Sequence, residues 1–402
     1  MTMDPRPTVI IFCDHLLYLS ETFIRAQGQA LRQFSPAYAG SRRVAGLDLP
    51  AGRCYTINSG NTTGKAREVV FKLFGRAPDL VRRLRALDPV LVHAHFGPDG
   101  LRALPISRQL GLPLIVTFHG SDATALNPRR GEASFSHRRY LAHRDVLQRG
   151  ASLFLAVSDF VRGKLLEQNV PPQQVIVHYI GVDTSFFSPS TSDTGKEPVV
   201  LFVGRLSERK GPNYLIQAMA EVQREYPDVE LVLIGDGPLR KDLEQRAKSS
   251  LRKYRFLGAQ SPETIREWMD RARLFAASSV KIESGEEEAF GMVFAEAQAM
   301  QKPVVAFASG GVVEAVQHGQ TGFLAPERDW RKMAEYLTLL LRDDELRRRF
   351  GSAGRQRVLR LFNLEKQTNL LEKIYSEVAA RRTPVRMCGV APMGAVELCQ
   401  GS

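Results

Sequence analysis

The chain has 402 residues, with 55 Lys and Arg against 43 Asp and Glu for a formal net charge of +12, and is 44% hydrophobic and 24% charged. That length makes two or three domains with full-sized cores, and that composition excludes a disordered or collagenous chain. The positive charge leaves three classes of partner: nucleic acid, an anionic membrane surface, or a phosphorylated small molecule.

Met1–Thr8 lacks the basic and apolar regions of a secretory signal. The longest apolar runs, such as Val9–Cys13 and Val304–Ala308, fall far short of the ~20 residues that cross a bilayer. A cytoplasmic protein is expected. Cys13, Cys54, Cys388 and Cys399 form no CxxC pair and no disulfide-scaffold spacing, so they read as reduced thiols.

In chain order, Val9–Cys13 predicts the first buried strand and Thr22–Gln33 a helix. Lys65–Arg85 follows, where seven cations interleave with Val69, Val70, Phe71, Leu73, Phe74, Leu80, Val81 and Leu84. A basic amphipathic segment of this kind either lies on an anionic membrane or covers a core with a solvated face. Strands are predicted at Val90–Ala94, Leu114–Phe118, Leu153–Val157 and Val175–His178, with a helix at Asp159–Gln168. Residues 185–197, SFFSPSTSDTGKE, read as an inter-domain linker.

The alternation then restarts. Strands are predicted at Val199–Val203, Glu230–Ile234, Arg255–Leu257, Leu274–Ala277, Pro303–Ala306 and Gly322–Leu324. The intervening helices fall at Asn213–Glu225, Leu239–Ser249, Glu263–Arg271, Met292–Met300, Val312–His318 and Trp330–Leu341. Buried apolar runs alternating with amphipathic helices imply an α/β fold of two doubly wound parallel sheets. Residues 1–190 carry 23 basic and 14 acidic groups, so +9 of the charge lies in the first half.

Three stretches carry chemistry. Val203-Gly204-Arg205 leaves a buried strand and runs to Lys210-Gly211. Ligands of open α/β sheets bind at the carboxyl ends of strands, where an Arg fork and a Lys point charge can hold a diphosphate. In Glu288-Ala289-Phe290-Gly291-Met292-Val293-Phe294-Ala295-Glu296 two carboxylates bracket a turn into an apolar helix. If mostly helical, this segment sets them about 12 Å apart, the span from a hexose ring across a diphosphate to a ribose. Gly291 allows close backbone approach, and free N–H groups at the helix start can bind oxygens. The bland alternative is that Glu286, Glu287 and Glu288 form a solvated acidic cluster. The third stretch, His119-Gly120-Ser121-Asp122, follows the strand Leu114–Phe118. His119 can reach an inter-domain cleft, whereas His93 and His95 read as structural.

Together these stretches resemble glycosyltransferase family 4 over residues 8 to 380, most specifically in the Glu-x7-Glu pattern of Glu288 and Glu296 with Phe290-Gly291 between them. The resemblance implies the GT-B fold: an acceptor domain over 1–185, a linker at 186–197, a nucleotide-sugar domain over 198–363, a helix near 364–380 returning to the first domain, and a loose tail at 383–402. It also implies roles. Arg205 and Lys210 match the family's diphosphate pair, and His119 matches the histidine that contacts the transferred sugar. Donor-binding residues would be Gly204, Gly235, Leu257, Glu288, Phe290, Gly291, Met292, Val293 and Glu296. Ile234-Gly235-Asp236-Gly237-Pro238, Ser309-Gly310-Gly311-Val312-Val313-Glu314 and Gly319-Gln320-Thr321-Gly322-Phe323-Leu324 resemble other family segments.

In place of the Gly-Gly loop many members carry, the chain has Leu19-Ser20-Glu21-Thr22-Phe23-Ile24, which is similar to the branch that builds bacterial exopolysaccharide and lipid-linked oligosaccharides. Ser20, Glu21 and Thr22, with Asp122, would form an acceptor or phosphate loop, with Ser20 as N-cap. The implied reaction is retaining hexosyl transfer from a nucleoside-diphosphate sugar to a saccharide or polyprenyl-linked acceptor, with a small-molecule or phosphatidyl acceptor as the alternative. No cofactor is implied. The chain contains no Asp-x-Asp, the metal-binding motif usual in the other main transferase fold, so no metal is expected. A nicotinamide enzyme would show GxGxxG after its first strand, where this chain reads Asp14-His15-Leu16. No helix-turn-helix, RNP or zinc signature supports nucleic-acid binding.

Overall fold

The computed structural model describes residues 4–126, 134–190 and 197–381. The stretch read as a loose tail, 383–402, and residues 191–196 of the linker lie outside the described residues. The first sheet comprises β1 (Thr8–Phe12), β2 (His15–Leu16), β3 (Ser35–Arg43), β4 (Cys54–Asn58), β5 (Pro89–His95), β6 (Leu114–Phe118), β7 (Leu153–Ala156) and β8 (Val175–Val177). Their order is β2-β3-β1-β5-β6-β7-β8, with β4 also on β3. The second comprises β9 (Glu197–Val203), β10 (Glu230–Ile234), β11 (Tyr254–Gly258), β12 (Ala272–Ala277), β13 (Val304–Phe307) and β14 (Gly322–Ala325), ordered β11-β10-β9-β12-β13-β14.

The ladders are parallel, and helices cover the sheets. Every residue of β1 and β6 is buried, which is why these strands read as unbroken apolar runs. In each sheet the chain leaves its first strand to one side and later returns to the other. This makes a crevice at the carboxyl ends of β1 and β5, and another at those of β9 and β12, where open α/β sheets bind ligands.

The linker is not the only crossing between the two units. Val182 bridges Asn363, donating to the Phe362 carbonyl at 2.7 Å and accepting from Leu364 N–H at 2.9 Å. The helix Leu364–Ala380 then packs Leu371, Tyr375 and Val378 into a core with Val9, Leu91, Ile115 and Leu153 of the first sheet. From this helix the fully buried Glu372 accepts from the N–H groups of Arg32, Gln33 and Phe34 at 2.7, 2.6 and 3.3 Å. These residues follow the helix Thr22–Ala30.

The basic segment Lys65–Arg85 is two helices, not one. Thr62–Phe74 ends at Gly75 in the left-handed region, and Pro78–Arg85 follows. Phe71, Leu80, Val81 and Leu84 join the core, whereas Val69, Val70, Leu73 and Phe74 are 43–70% exposed. Among the described residues no helix is long and apolar enough to cross a membrane.

Glu372→Ala leaves three N–H groups, that of Phe34 buried and those of Arg32 and Gln33 partly so, without this acceptor and leaves a cavity in the core between helix and sheet. It should cost about 3 kcal/mol, read as a lower urea midpoint at unchanged slope.

Candidate functional site

At the crevice of the second sheet, β9 ends and Arg205 stands exposed, with no ion-pair partner among the described residues. Glu208–Lys210 form one tight turn. It is fastened to the end of β12 by Ser278 Oγ donating to the Gly211 carbonyl at 2.7 Å and Val280 N–H donating to the Arg209 carbonyl at 2.8 Å. This aims Lys210 Nζ at Glu288 Oε2, with which it forms a salt bridge. Ser279 Oγ donates to the same oxygen at 3.0 Å, and Arg209 Nη1 lies 3.3 Å from Glu288 Oε1. Arg209 Nε is also 3.6 Å from Glu286.

Glu288 is only 6% exposed. Burial alone would raise its pKa, but Lys210 and then Arg209 outweigh burial and hold it down to about 2. Glu288 is therefore not part of a solvated acidic cluster. Nor is it helical, since the helix is Met292–Ala299 and the spacing of an ideal helix does not apply between Glu288 and Glu296. The loop lets Glu288 turn inward to the cations.

The first unit meets this loop at its main chain. Gly120 has φ +139°, and a Cβ there would stand 2.7 Å from the Ala289 Cβ, so any side chain would drive the loops apart. Ser158 Oγ donates to the Ala289 carbonyl at 2.6 Å. From the second unit Gly310, at φ +53°, would set a Cβ 2.2 Å from the Glu288 carbonyl, and Gly311 N–H donates to that carbonyl at 2.8 Å. Glu314 crosses between the units, accepting from Asp159 and Phe160 N–H at 2.8 Å each and from Tyr179 OH at 3.1 Å. The two N–H donors open the helix Asp159–Glu167, where a carboxylate is favoured.

His119 packs between Phe23 and Phe96, at centroid distances of 4.9 and 4.6 Å. Its Nε2 is 3.0 Å from His95 Nδ1, and its Nδ1 is buried without a partner among the described residues. Burial pulls His119 down to about 3, so it is neutral near pH 7. His95, read as structural, is in fact its partner. Asp122 turns to main-chain donors. It is 3% exposed and accepts from Gly97, His119 and Gly120 N–H at 3.0, 3.1 and 2.8 Å, which shapes the His119 turn. Burial raises Asp122 to about 6 in spite of those donors.

Ser20 is not an N-cap. The helix begins at Thr22, so Glu21 occupies the cap position without a side-chain cap bond and instead accepts from Tyr18 N–H at 2.9 Å. Ser20 is exposed and one residue too early. Phe290 turns its ring into the core against Tyr179 and Phe362, leaving only its main chain for a ligand. Gly291, Met292 and Val293 line the partly exposed helix start. Gly204 and Gly235 pack main chain to main chain at the ends of β9 and β10. The Leu257 carbonyl accepts from Gln260 Nε2 at 2.5 Å. Glu296 has no side-chain partner among the described residues, and burial raises it to about 7.

Sequence reasoning missed Arg209, which adjoins Lys210 in the tight turn, and Ser279, two residues past the end of β12. It also missed the polar cluster in the crevice of the first sheet. There Asp14 N–H donates to Asp99 Oδ2 at 2.8 Å, Asp14 pairs with Arg102 and Ser41, and Tyr18 OH lies 2.6 Å from His15 Nδ1. Burial raises Asp99 to about 8.

A carboxyl raised on folding stabilises most below its unfolded value of about 4.3, and that contribution is lost as pH rises through its folded value. For Glu296 that window closes at about 7. The buried imidazoles act in the opposite sense, so a variant isolates the effect. The stability of the wild type relative to Glu296→Gln should fall as pH rises across this window and level off above it, as read by thermal denaturation at several pH values.

The model described as Glycosyltransferase Family 4 matches residues 15–186, and that described as Glycosyl transferases group 1 matches residues 183–357. The D-inositol 3-phosphate glycosyltransferase of Frankia alni is 30% identical over 290 residues, which are 66% of this chain and 69% of that protein. WcaL of Salmonella typhimurium, named for colanic acid biosynthesis, is 29% identical over 261 residues, 62% of this chain and 61% of that protein. The fold superposes on Anabaena Alr3699/HepE, solved with UDP and glucose, at a TM-score of 0.73 and 21% identity, covering 92% of this chain and 100% of that one. The chain belongs to the family 4 and group 1 glycosyltransferases and has their GT-B fold.

Proposed function

We propose that the protein transfers a hexose from a nucleoside-diphosphate sugar to a saccharide or polyprenyl-linked acceptor in polysaccharide synthesis, with retention at the anomeric carbon and without a metal ion. The observation that carries this reading is the buried Glu288–Lys210–Arg209 cluster at the crevice of the second sheet, packed by its main chain against the His119 turn of the first. WcaL's name supports polysaccharide synthesis, and the UDP and glucose bound in Alr3699/HepE support a nucleoside-diphosphate sugar as donor.

The physical demand is to stabilise a departing diphosphate and an oxocarbenium-like sugar. Lys210 and the exposed Arg205 meet the first with fixed positive charge, which takes the place of a divalent ion. The N–H groups of Phe290–Val293 add donors, Glu296 accepts from the ribose hydroxyls, and His119 orients the sugar. Glu288 holds Lys210 charged and in place. Committed to two cations and a hydroxyl, it is not a free nucleophile, which favours front-face attack: the acceptor hydroxyl adds as the diphosphate leaves, and a leaving-phosphate oxygen takes the proton. A small-molecule or phosphatidyl acceptor is the second reading, favoured by the inositol phosphate named for the Frankia relative.

A donor panel of UDP-glucose, UDP-galactose and GDP-mannose, with membrane lipid extract, malate or inositol phosphate as acceptor and NMR of the product anomer, tests this. Lys210→Ala should lower turnover on the order of 10²–10³-fold, and excess EDTA should leave wild-type turnover intact. No transfer from any donor overturns the reading, and EDTA-abolished turnover restored by Mn²⁺ overturns its metal-free part.

The same reading places the protein at the inner face of the plasma membrane, docked by the helix Thr62–Phe74. Exposed Val69, Val70, Leu73 and Phe74 stand beside exposed Lys65, Arg67 and Arg76, a pairing that suits an anionic bilayer. Sedimentation with phosphatidylglycerol vesicles should decline with rising salt and with Leu73→Ser/Phe74→Ser. Binding that ignores both changes, or is absent, overturns the docking.

A further inference from the structure

Behind His119 lies a column of aromatic groups that no step above uses. His95 ends β5 and is 1% exposed. Its ring lies edge to edge with that of His119, the planes 22° from parallel and the centroids 5.3 Å apart, and its Nδ1 lies 3.0 Å from His119 Nε2. Next along is His93, its ring centroid 4.4 Å from that of His95. His93 has both nitrogens engaged, with Thr117 Oγ1 at 2.7 Å and Tyr375 OH at 2.5 Å. The column thus runs from the cleft through the sheet to the returning C-terminal helix, and it is rigid at its far end.

A single hydrogen bond between two neutral imidazoles holds a single proton. Either His95 donates and His119 carries its own proton on Nδ1, or His119 donates and its Nδ1 is bare. The free nitrogen of His119 is therefore a donor or an acceptor according to which way His95 is protonated. The ligand class decides which is useful. The N–H groups opening the helix Met292–Ala299 and the cations Lys210 and Arg205 are suited to oxygens that only accept. Phosphate oxygens only accept and sugar hydroxyls accept as well as donate, so a histidine that donates can serve any oxygen of this ligand, whereas a bare nitrogen can serve only the hydroxyls.

We propose that His95 is a positioning residue: its Nδ1–H donates to His119 Nε2 and fixes His119 as the tautomer protonated on Nδ1, poised to donate to an oxygen of the bound sugar nucleotide. The inference rests on the donor reading for its function, but the tautomer is a property of the free protein. His93, anchored by Thr117 and Tyr375, holds the His95 ring in register and so ties the C-terminal helix to the site.

The test is long-range ¹H–¹⁵N correlation on histidine-labelled full-length protein without substrate, with the His119 signals assigned by their loss in His119→Asn. The wild type should show Nδ1 protonated and Nε2 bare across neutral pH. His95→Leu should move His119 toward the Nε2–H form and lower kcat on the order of tenfold, the effect of one lost hydrogen bond. His95→Asn, whose amide can donate from the place of Nδ1, should restore both. An Nε2–H form in the wild type, or a His119 tautomer unmoved in His95→Leu, overturns the proposal. If His95→Leu does not fold, the wild-type and His95→Asn spectra decide alone. Failure of the donor reading shows separately, as the expected spectrum with no sugar nucleotide turned over.

Discussion

A carboxylate taken out of water is tolerated only where cations and hydroxyls replace its hydration, and at Glu288 they come from two separate parts of the chain. Lys210 and Arg209 arrive from the turn after β9, Ser279 from the end of β12, and Glu288 itself from the loop after it. Removing one partner would leave the others with an unbalanced buried charge, so the cluster fixes the turn, the loop and both strand ends together. The helix start that follows, and the main chain that Gly120 and Ser158 touch, take their positions from that cluster.

The apposition of the two units depends on small residues and main-chain polar groups more than on a broad apolar seam. Ala289 is met by Gly120 and Ser158, and Glu314 spans the boundary to the amide groups of a helix. Such contacts are directional. They specify one closed arrangement without burying the large apolar area that would make opening costly.

Much of this was legible in the sequence because parallel strands buried on both faces must be apolar. Thr8–Phe12, Leu114–Phe118 and Glu230–Ile234 could hardly be read otherwise. The strand Ser35–Arg43 was not legible. Its Pro, Ala, Gly and Ser carry little β-propensity, and its pairing with β1 and β4 decides its conformation. At the site, the stretches holding Lys210, Glu288 and His119 were visible as motifs, and the structure brings them together. What spacing could not show was that Arg209, not Arg205, joins Lys210 at Glu288, because that depends on how the turn Glu208–Lys210 is fastened to the end of β12. Ser20 failed as a cap by a single residue. Asp122 looked like a cleft residue but serves the turn beneath it, a distinction that depends on burial and not on sequence position. His95 reads only as structural in the sequence, since a partner 24 positions away, just past the end of the adjacent strand, leaves no local signature.

The bridge between Val182 and Asn363 means that the chain passes between the units twice. One tether would permit swivelling in any direction, whereas two side by side act as the leaves of a door hinge and leave one easy axis of rotation. Phe290 lies at that hinge, its ring against Tyr179 on the outgoing strand of chain and Phe362 on the returning one. Opening the door must therefore pull on the loop that carries Glu288. The loop is built onto the hinge pin, so that rotation of the two units and movement of Glu288 are movements of one part.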